Sequence, residues 1–395
     1  MKKILHKSSA IENFSRGKIT FLLGENGSGK SRELKRLVGF FEAQGAAVIA
    51  VSNTVFDRFP AKGKSQSYAR LSPASGKGYV RRVLMEALFS GSDDRRDARM
   101  VGRSLQYAGF EQAVRIVPVL NINDLGSKLE LIRRDERINS EDYSSISQLI
   151  KIFSSIRTRQ YREEDWLRLD DPSFGHRYFF FATLVKYEKI LKRLKLLRKL
   201  DCFLSKDGEI FPLHQASSGE LTLIATYAFL ATRMEEGAVI LIDEPENSLH
   251  PRWQSEYCRR LFDLFHFYEP SIFLASHSPL VVSGAESDNL PTRIFTLSKF
   301  ESSIQSEGEV KSIDGILLEA FGVVAPASHY LSELITRLLS DLSIGKKSLE
   351  EVSREIEHLR SRSYDTKQRE FLRAAVDLAA KVADEFRGSK ARHES

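Results

Sequence analysis

A chain of 395 residues with 42% apolar and 28% charged residues has the balance of an ordinary globular protein, and it is long enough for a catalytic domain carrying a sizeable insertion. Its net charge of +6 is too small to mark a nucleic-acid binder by itself, and two cysteines without metal-ligand spacing, Cys202 and Cys258, exclude a disulfide scaffold. No apolar run reaches membrane-spanning length, and Ile4-Leu5 behind Lys2-Lys3 is too short for a secretory leader, so a cytoplasmic setting with no membrane partner is expected.

The first apolar run, Ile19-Thr20-Phe21-Leu22-Leu23, reads as a buried strand and runs into Gly24-Glu25-Asn26-Gly27-Ser28-Gly29-Lys30-Ser31. That octapeptide fits the G-x-x-x-x-G-K-[ST] phosphate loop, with a helix over Arg32–Phe41 after it, as the pattern requires. Glycines let successive backbone N–H groups turn toward phosphate oxygens, and the helix N-terminus adds partial positive charge. Lys30 would reach the β- and γ-phosphates and the Ser31 hydroxyl would ligate Mg²⁺. A second strand, Ala46–Val51, ends at Ser52-Asn53-Thr54, and Pro60–Gly78 reads as a Gly/Ser/Lys loop.

From Tyr79 to Leu200 the pattern is mainly helical and arginine-rich, with a short strand over Ala113–Leu120. Its clearest helix is expected over Phe179–Leu200. Tyr187, Ile190, Leu191, Leu194 and Leu197 share one face, and Lys186, Lys189, Lys192, Arg193 and Lys199 the other, either solvated or set against phosphates or an acidic partner. Lys206-Asp207-Gly208, between Cys202–Ser205 and Glu209–Leu213, signals a hairpin.

Ser217-Ser218-Gly219-Glu220 then opens an apolar helix, and by itself it reads equally as a capping box. About twenty residues on, the strand Ala238–Ile242 ends in Asp243-Glu244, the carboxylates that a phosphate-loop enzyme needs for its metal and as general base toward water. The next strand, Ser271–Ala275, ends at Ser276-His277-Ser278-Pro279, which places His277 to meet a γ-phosphate. After Phe300 helices dominate. Ser348 with Glu351 makes a capping box, and the stripes Leu349/Val352/Ile356/Leu359 and Leu372/Ala375/Ala379/Val382/Phe386 read as an antiparallel pair packed on the core, with partner docking as the other reading.

Taken together these motifs resemble the ABC-type ATPases. Gly24–Ser31 matches the family's Walker A, Ser217–Glu220 its signature, Val239–Glu244 its Walker B, Asn247-Ser248-Leu249-His250 its D-loop and His277 its switch histidine. The wording is most similar to the soluble branch that includes chromosome-maintenance and recombination-repair ATPases and the overcoming-lysogenization, Septu and retron-associated defence ATPases.

The resemblance implies an α/β P-loop NTPase fold of ABC type. Its core would be split between 1–60 and 201–300, with a mainly helical arginine-rich insertion over 61–200 and a helical region over 301–395. It implies ATP and Mg²⁺ as ligands and a head-to-tail homodimer in which each ATP is covered by the other copy's Ser217, Ser218, Gly219 and Glu220. It also implies an ATP-driven switch serving antiphage defence or DNA processing, with a separate effector such as a nuclease and nucleic acid as a further partner. Glu25–Ser31 would line the nucleotide; Glu244, His277 and Lys30 would be catalytic; Ser31 and Asp243 would ligate the metal. Where the family has a glutamine at the end of the second strand this chain offers Asn53, a metal-ligand candidate through its side-chain oxygen. Two alternatives stay open: the ATPase subunit of a membrane transporter, and an ATP-locked scaffold with little turnover.

Overall fold

A computed structural model describes residues 16–73, 78–89, 95–121, 129–130, 132–134, 138–156, 166–171, 175–297, 302–305, 329–362 and 366–393. In chain order the first half carries β1 (Ile19–Leu23), α1 (Lys30–Ala43), β2 (Val48–Ser52), β3 (Tyr68–Leu71), α2 (Tyr79–Phe89), α3 (Arg95–Tyr107), β4 (Ala113–Leu120), α4 (Ser140–Ile156), β5 (Trp166–Arg168), α5 (Gly175–Lys186) and α6 (Glu188–Arg193). The hairpin strands β6 (Leu197–Lys206) and β7 (Glu209–Pro212) follow, then α7 (Ser218–Ala231), β8 (Val239–Asp243), α8 (Pro251–Phe265), β9 (Ser271–Ala275), α9 (Pro279–Ser287), β10 (Thr292–Leu297) and β11 (Ser302–Gln305). The chain closes with α10 (His329–Ser343), α11 (Leu349–Arg362) and α12 (Thr366–His393). Phe14, an aromatic ahead of the phosphate loop that the sequence offers for stacking on a base, lies outside the described residues. Among the described residues no helix is long and apolar enough to cross a membrane.

The chain divides into two compact units. In the one formed by Met1–Leu34, Pro251–Arg259 and Ile272–Ser395, β1 lies parallel between β9 and β10, and β11 runs antiparallel on the far edge of β10. All five residues of β1 are buried, as a strand covered on both faces requires. Helix α9 lies so close to α8 that a Cβ at Gly284 would sit 1.8 Å from the Ser255 carbonyl oxygen. Gly284→Ala is therefore expected to destabilise the protein by about 1–3 kcal/mol through forced overpacking, read as a lower urea midpoint; an unchanged midpoint would contradict the helix contact.

In the same unit the two C-terminal stripes, expected to pack on the core, belong to a separate cluster of buried residues. Val352 and Ile356 of α11 and Leu372, Ala375 and Ala379 of α12 meet each other and Leu331, Ile335, Leu338 and Leu342 of α10, so three helices make a core of their own. The apolar stripe of α10 was the missing partner, and a third helix is enough to bury both faces of the pair. The Ser348–Glu351 capping box forms as read: Glu351 N–H donates to Ser348 Oγ at 3.2 Å and Ser348 N–H to Glu351 Oε2 at 2.9 Å.

The other unit, Lys35–His250 with Arg260–Ser271, holds β2 parallel between β3 and β8, and a separate antiparallel sheet in the order β5-β4-β6-β7. Helix α7 is apolar on nearly every side because α2 and α3 pack against it. The Asp-Gly hairpin turns as its sequence predicts, with φ of 53° at Asp207 and 80° at Gly208. Two expectations change here. Tyr68–Leu71, inside the expected loop, is an edge strand that gains parallel pairing to β2. The expected helix over Phe179–Leu200 ends its first segment at Lys186, restarts as α6 and stops at Arg193. The stop is a Schellman turn: Leu196 N–H donates to Leu191 O at 2.9 Å and Lys195 N–H to Lys192 O at 3.0 Å, with Lys195 left-handed at φ 54°. From Leu197 the chain pairs with β4 instead, which buries Leu197, Leu200, Cys202 and Leu204. Neither cysteine forms a disulfide, and burial pushes the Cys202 thiol up to about 12.

Candidate functional site

The phosphate-loop residues and His277 belong to the first unit. Gly24, Gly27 and Gly29 take φ of 143°, 81° and 104°, conformations that side chains resist, so the loop can curl its N–H groups inward. At Gly24 a Cβ would also lie 2.2 Å from the Leu297 carbonyl oxygen, so β10 holds the loop's first corner against β1. Lys30 opens α1 and is only 6% exposed; its Nζ donates to Gly24 O at 2.7 Å and Glu25 O at 3.2 Å, which lays the ammonium across the loop. Ser28 N–H closes the turn onto Glu25 O at 3.1 Å, while Ser28 Oγ is buried with no hydrogen-bond partner among the described residues. A buried hydroxyl without a partner, a buried ammonium and a nest of N–H groups together make a set of donors turned toward one place. A triphosphate fits it.

His277 is exposed at the end of β9, one strand from this loop, because Leu22 of β1 faces Ala275 of β9 in register. Ser276 N–H donates to Leu22 O at 3.2 Å, Ser278 N–H to Ser276 Oγ at 3.0 Å, and Ser278 Oγ to Gln254 Oε1 at 2.7 Å. The histidine is thus presented by a backbone tied down on both sides.

Asn53, Asp243, Glu244 and the Ser217–Glu220 helix start belong to the second unit. Asp243 ends β8 opposite Ser52 and is 2% exposed. Asn53 N–H donates to Asp243 O at 3.1 Å, Asn53 Nδ2 to Pro245 O at 3.4 Å, and Asn247 Nδ2 to Asn53 O at 2.7 Å. These bonds lock the end of β2 to the turn that carries Glu244. Glu244 is left-handed at φ 56°, a conformation costing a non-glycine residue roughly 1–2 kcal/mol. Asn247 N–H to Glu244 O at 3.2 Å and Leu249 N–H to Glu246 O at 3.0 Å hold it there. The clamp through Asn247 is a role that motif reading missed.

At α7 the capping box is complete: Glu220 N–H donates to Ser217 Oγ at 3.3 Å and Ser217 N–H to Glu220 Oε2 at 2.8 Å. Lys206, from the hairpin, donates to the second carboxylate oxygen at 2.9 Å. Burial pushes the Glu220 carboxyl up, but the bonds from Lys206 and Ser217 outweigh it and hold the group below its usual range. Both the helix cap and an exposed first turn are therefore present: Ser217 and Ser218 face solvent while Gly219 is buried.

A phosphate loop after a buried parallel strand, an Asp-Glu pair at the tip of another, and a capped Ser-Ser-Gly-Glu helix start lie in one chain. These motifs resemble those of the ABC-type ATPases. Residues 108–283 match the family model described as "AAA domain, putative AbiEii toxin, Type IV TA system". The chain is 32% identical over 104 residues to the retron Vc95 probable ATPase of Vibrio cholerae serotype O1 biovar El Tor, covering 23% of this chain and 20% of that protein. It is 27% identical over 147 residues to protein ea59 of Escherichia phage lambda, covering 37% and 23%. It is also 27% identical over 172 residues to the energy-coupling factor transporter ATP-binding protein EcfA2 of Clostridium tetani (strain Massachusetts / E88), covering 43% and 56%. The chain thus spans between 20% and 56% of the length of these curated relatives.

Proposed function

We propose that the chain binds and hydrolyses ATP and uses the bound nucleotide to close a head-to-tail homodimer. The observation that carries this reading is the loop around Lys30, whose buried ammonium, buried Ser28 hydroxyl and positive-φ glycines make a phosphate cradle. Magnesium held by Ser31 and Asp243, with Asn53 as a third candidate, would neutralise charge on the β- and γ-phosphate oxygens. Lys30 holds those phosphates, Glu244 takes the proton of the attacking water, and His277 contacts the γ-phosphate.

The exposed first turn of α7 supplies the dimer's second half. Backbone N–H groups at Ser218 and Gly219 sit at a helix N-terminus, where they attract the γ-phosphate of a second copy's nucleotide. Hydrolysis removes the charge that bridges the two copies, so turnover becomes a change of geometry. In this reading segments 1–60 and 201–300 supply the nucleotide machinery, and 61–200 with 301–395 carry the partner surfaces. The output is signalling to a separate effector protein in antiphage defence or DNA processing, a role supported by similarity to a retron probable ATPase.

Ser218→Arg tests the second-copy contact, because its bulk sits on exposed surface and leaves the Ser217–Glu220 cap intact. ATP binding should persist while the ATP-dependent dimer is lost in sedimentation velocity. A dimer equal to wild type would refute the contact.

A further inference from the structure

The segment Lys186–Lys199 holds seven lysines and arginines against the one carboxylate of Glu188, a net +6 that equals the charge of the whole chain. The rest of the chain therefore sums to no net charge. All seven basic residues are exposed. Three of them are answered locally: Lys186 by Asp142 at 3.5 Å, Lys192 by Glu188 at 2.7 Å and Lys199 by Asp201 at 2.7 Å. Lys189, Lys195 and Arg198 have no such ion pair among the described residues.

This run does not lie on a free helix face, because after the turn at Lys195 it enters β6 and continues onto the antiparallel sheet. One side of that sheet is core: Val114, Leu167, Cys202 and Leu204 are buried. On the other side Arg115 of β4 pairs in register with Trp166 of β5 and Phe203 of β6. Its guanidinium carbon lies 5.5 Å from the Trp166 ring centre and 5.0 Å from that of Phe203, all three side chains being half-buried. A row of ring, guanidinium plane and ring thus crosses three strands, with exposed Arg168 beside it on β5 and exposed Lys199 about 13 Å away along β6.

We propose that this face binds single-stranded nucleic acid, with the basic run drawing in the phosphate backbone and the Trp166–Arg115–Phe203 row stacking unpaired bases. The chemistry fits single strands and not duplexes, because flat π and guanidinium surfaces meet bases only where these are unstacked from a partner strand. A purely stabilising cross-strand ladder would explain the ring contacts. It would not explain why the chain leading into the sheet carries exposed Lys189, Lys195 and Arg198 with no ion pair among the described residues. The surface shares no residue with the phosphate loop, so its failure would leave the ATP reading standing, and the reverse holds too.

The test uses the full chain and fluorescein-labelled oligothymidylate, oligouridylate and a DNA duplex, followed by anisotropy. Single strands should bind with an affinity that falls steeply as salt rises, and the first two probes show whether DNA or RNA is preferred. Lys195→Glu with Arg198→Glu, both exposed and outside the core, should weaken that binding at least about tenfold and flatten the salt slope. With Trp253→Phe leaving Trp166 as the single tryptophan, the oligonucleotide should quench its emission on binding. No binding, a duplex bound as well as the single strands, or affinity and emission indifferent to the charge reversals would each overturn the proposal. So would polyglutamate quenching Trp166 where oligonucleotides do not, which would assign the face to an acidic protein.

Discussion

Replacing Lys30 by alanine is expected to abolish nucleotide binding at concentrations where the wild-type chain saturates. The ammonium is 6% exposed and is held over the loop by the Gly24 and Glu25 carbonyls, so its charge is already desolvated and aimed before phosphate arrives. Truncating one partner of such a buried charge pair costs about 2–5 kcal/mol, which is roughly a 30- to 4,000-fold loss of affinity. Isothermal titration with ATP and Mg²⁺ measures it directly. Lys30→Arg separates charge from shape: a planar fork on this stem cannot place its donors where the compact ammonium sits, so it should also bind poorly. Full affinity in the alanine variant would remove the phosphate loop from the reading altogether.

Glu244→Gln should give the opposite split, with binding kept and turnover lost. Glutamine has the size of glutamate and leaves the backbone bonds at Glu244 O and Glu246 O undisturbed, so the left-handed turn at φ 56° should survive. What it lacks is a base for the water proton, a contribution of about 10²–10⁴ in rate. Steady-state phosphate release should fall within that range, and ATP should hold the variant as a dimer in size-exclusion chromatography because the charge bridging the copies is no longer consumed. An unchanged rate of release would take Glu244 out of the chemistry. A lost rate with no lasting dimer would leave the base in place and reject the switch.

Much of the candidate site was legible because its signals are local. Glycines at 24, 27 and 29 announce a loop with positive φ, Ser217 and Glu220 announce a cap, and an apolar strand ending in Asp243-Glu244 announces its own polar tip. Asn53 was singled out for a side-chain oxygen. Its partners were invisible, since Pro245 and Asn247 lie 192 and 194 residues further along. Lys206 was passed over for the same reason: a lysine in a hairpin is unremarkable until the turn of α7 brings Glu220 within 2.9 Å.

Local chemistry by itself settled the types of the motif-bearing elements, the order of the motifs and the ends that carry a special residue, such as α1 closing on Gly45 at φ 77° and the hairpin turning on Asp207-Gly208. Only the tertiary structure decided that Phe179–Leu200 would break, that Tyr68–Leu71 would become a strand and that α10 would complete the C-terminal core. At Lys195 the same Schellman turn that glycine marks at position 45 is made by a residue that gives no warning. The leucines after it suit a helix face and a buried strand alike, because periodicity over a few residues cannot choose between them. Pairing with β4, a segment some eighty residues earlier in the chain, supplies the hydrogen bonds and burial that make the choice.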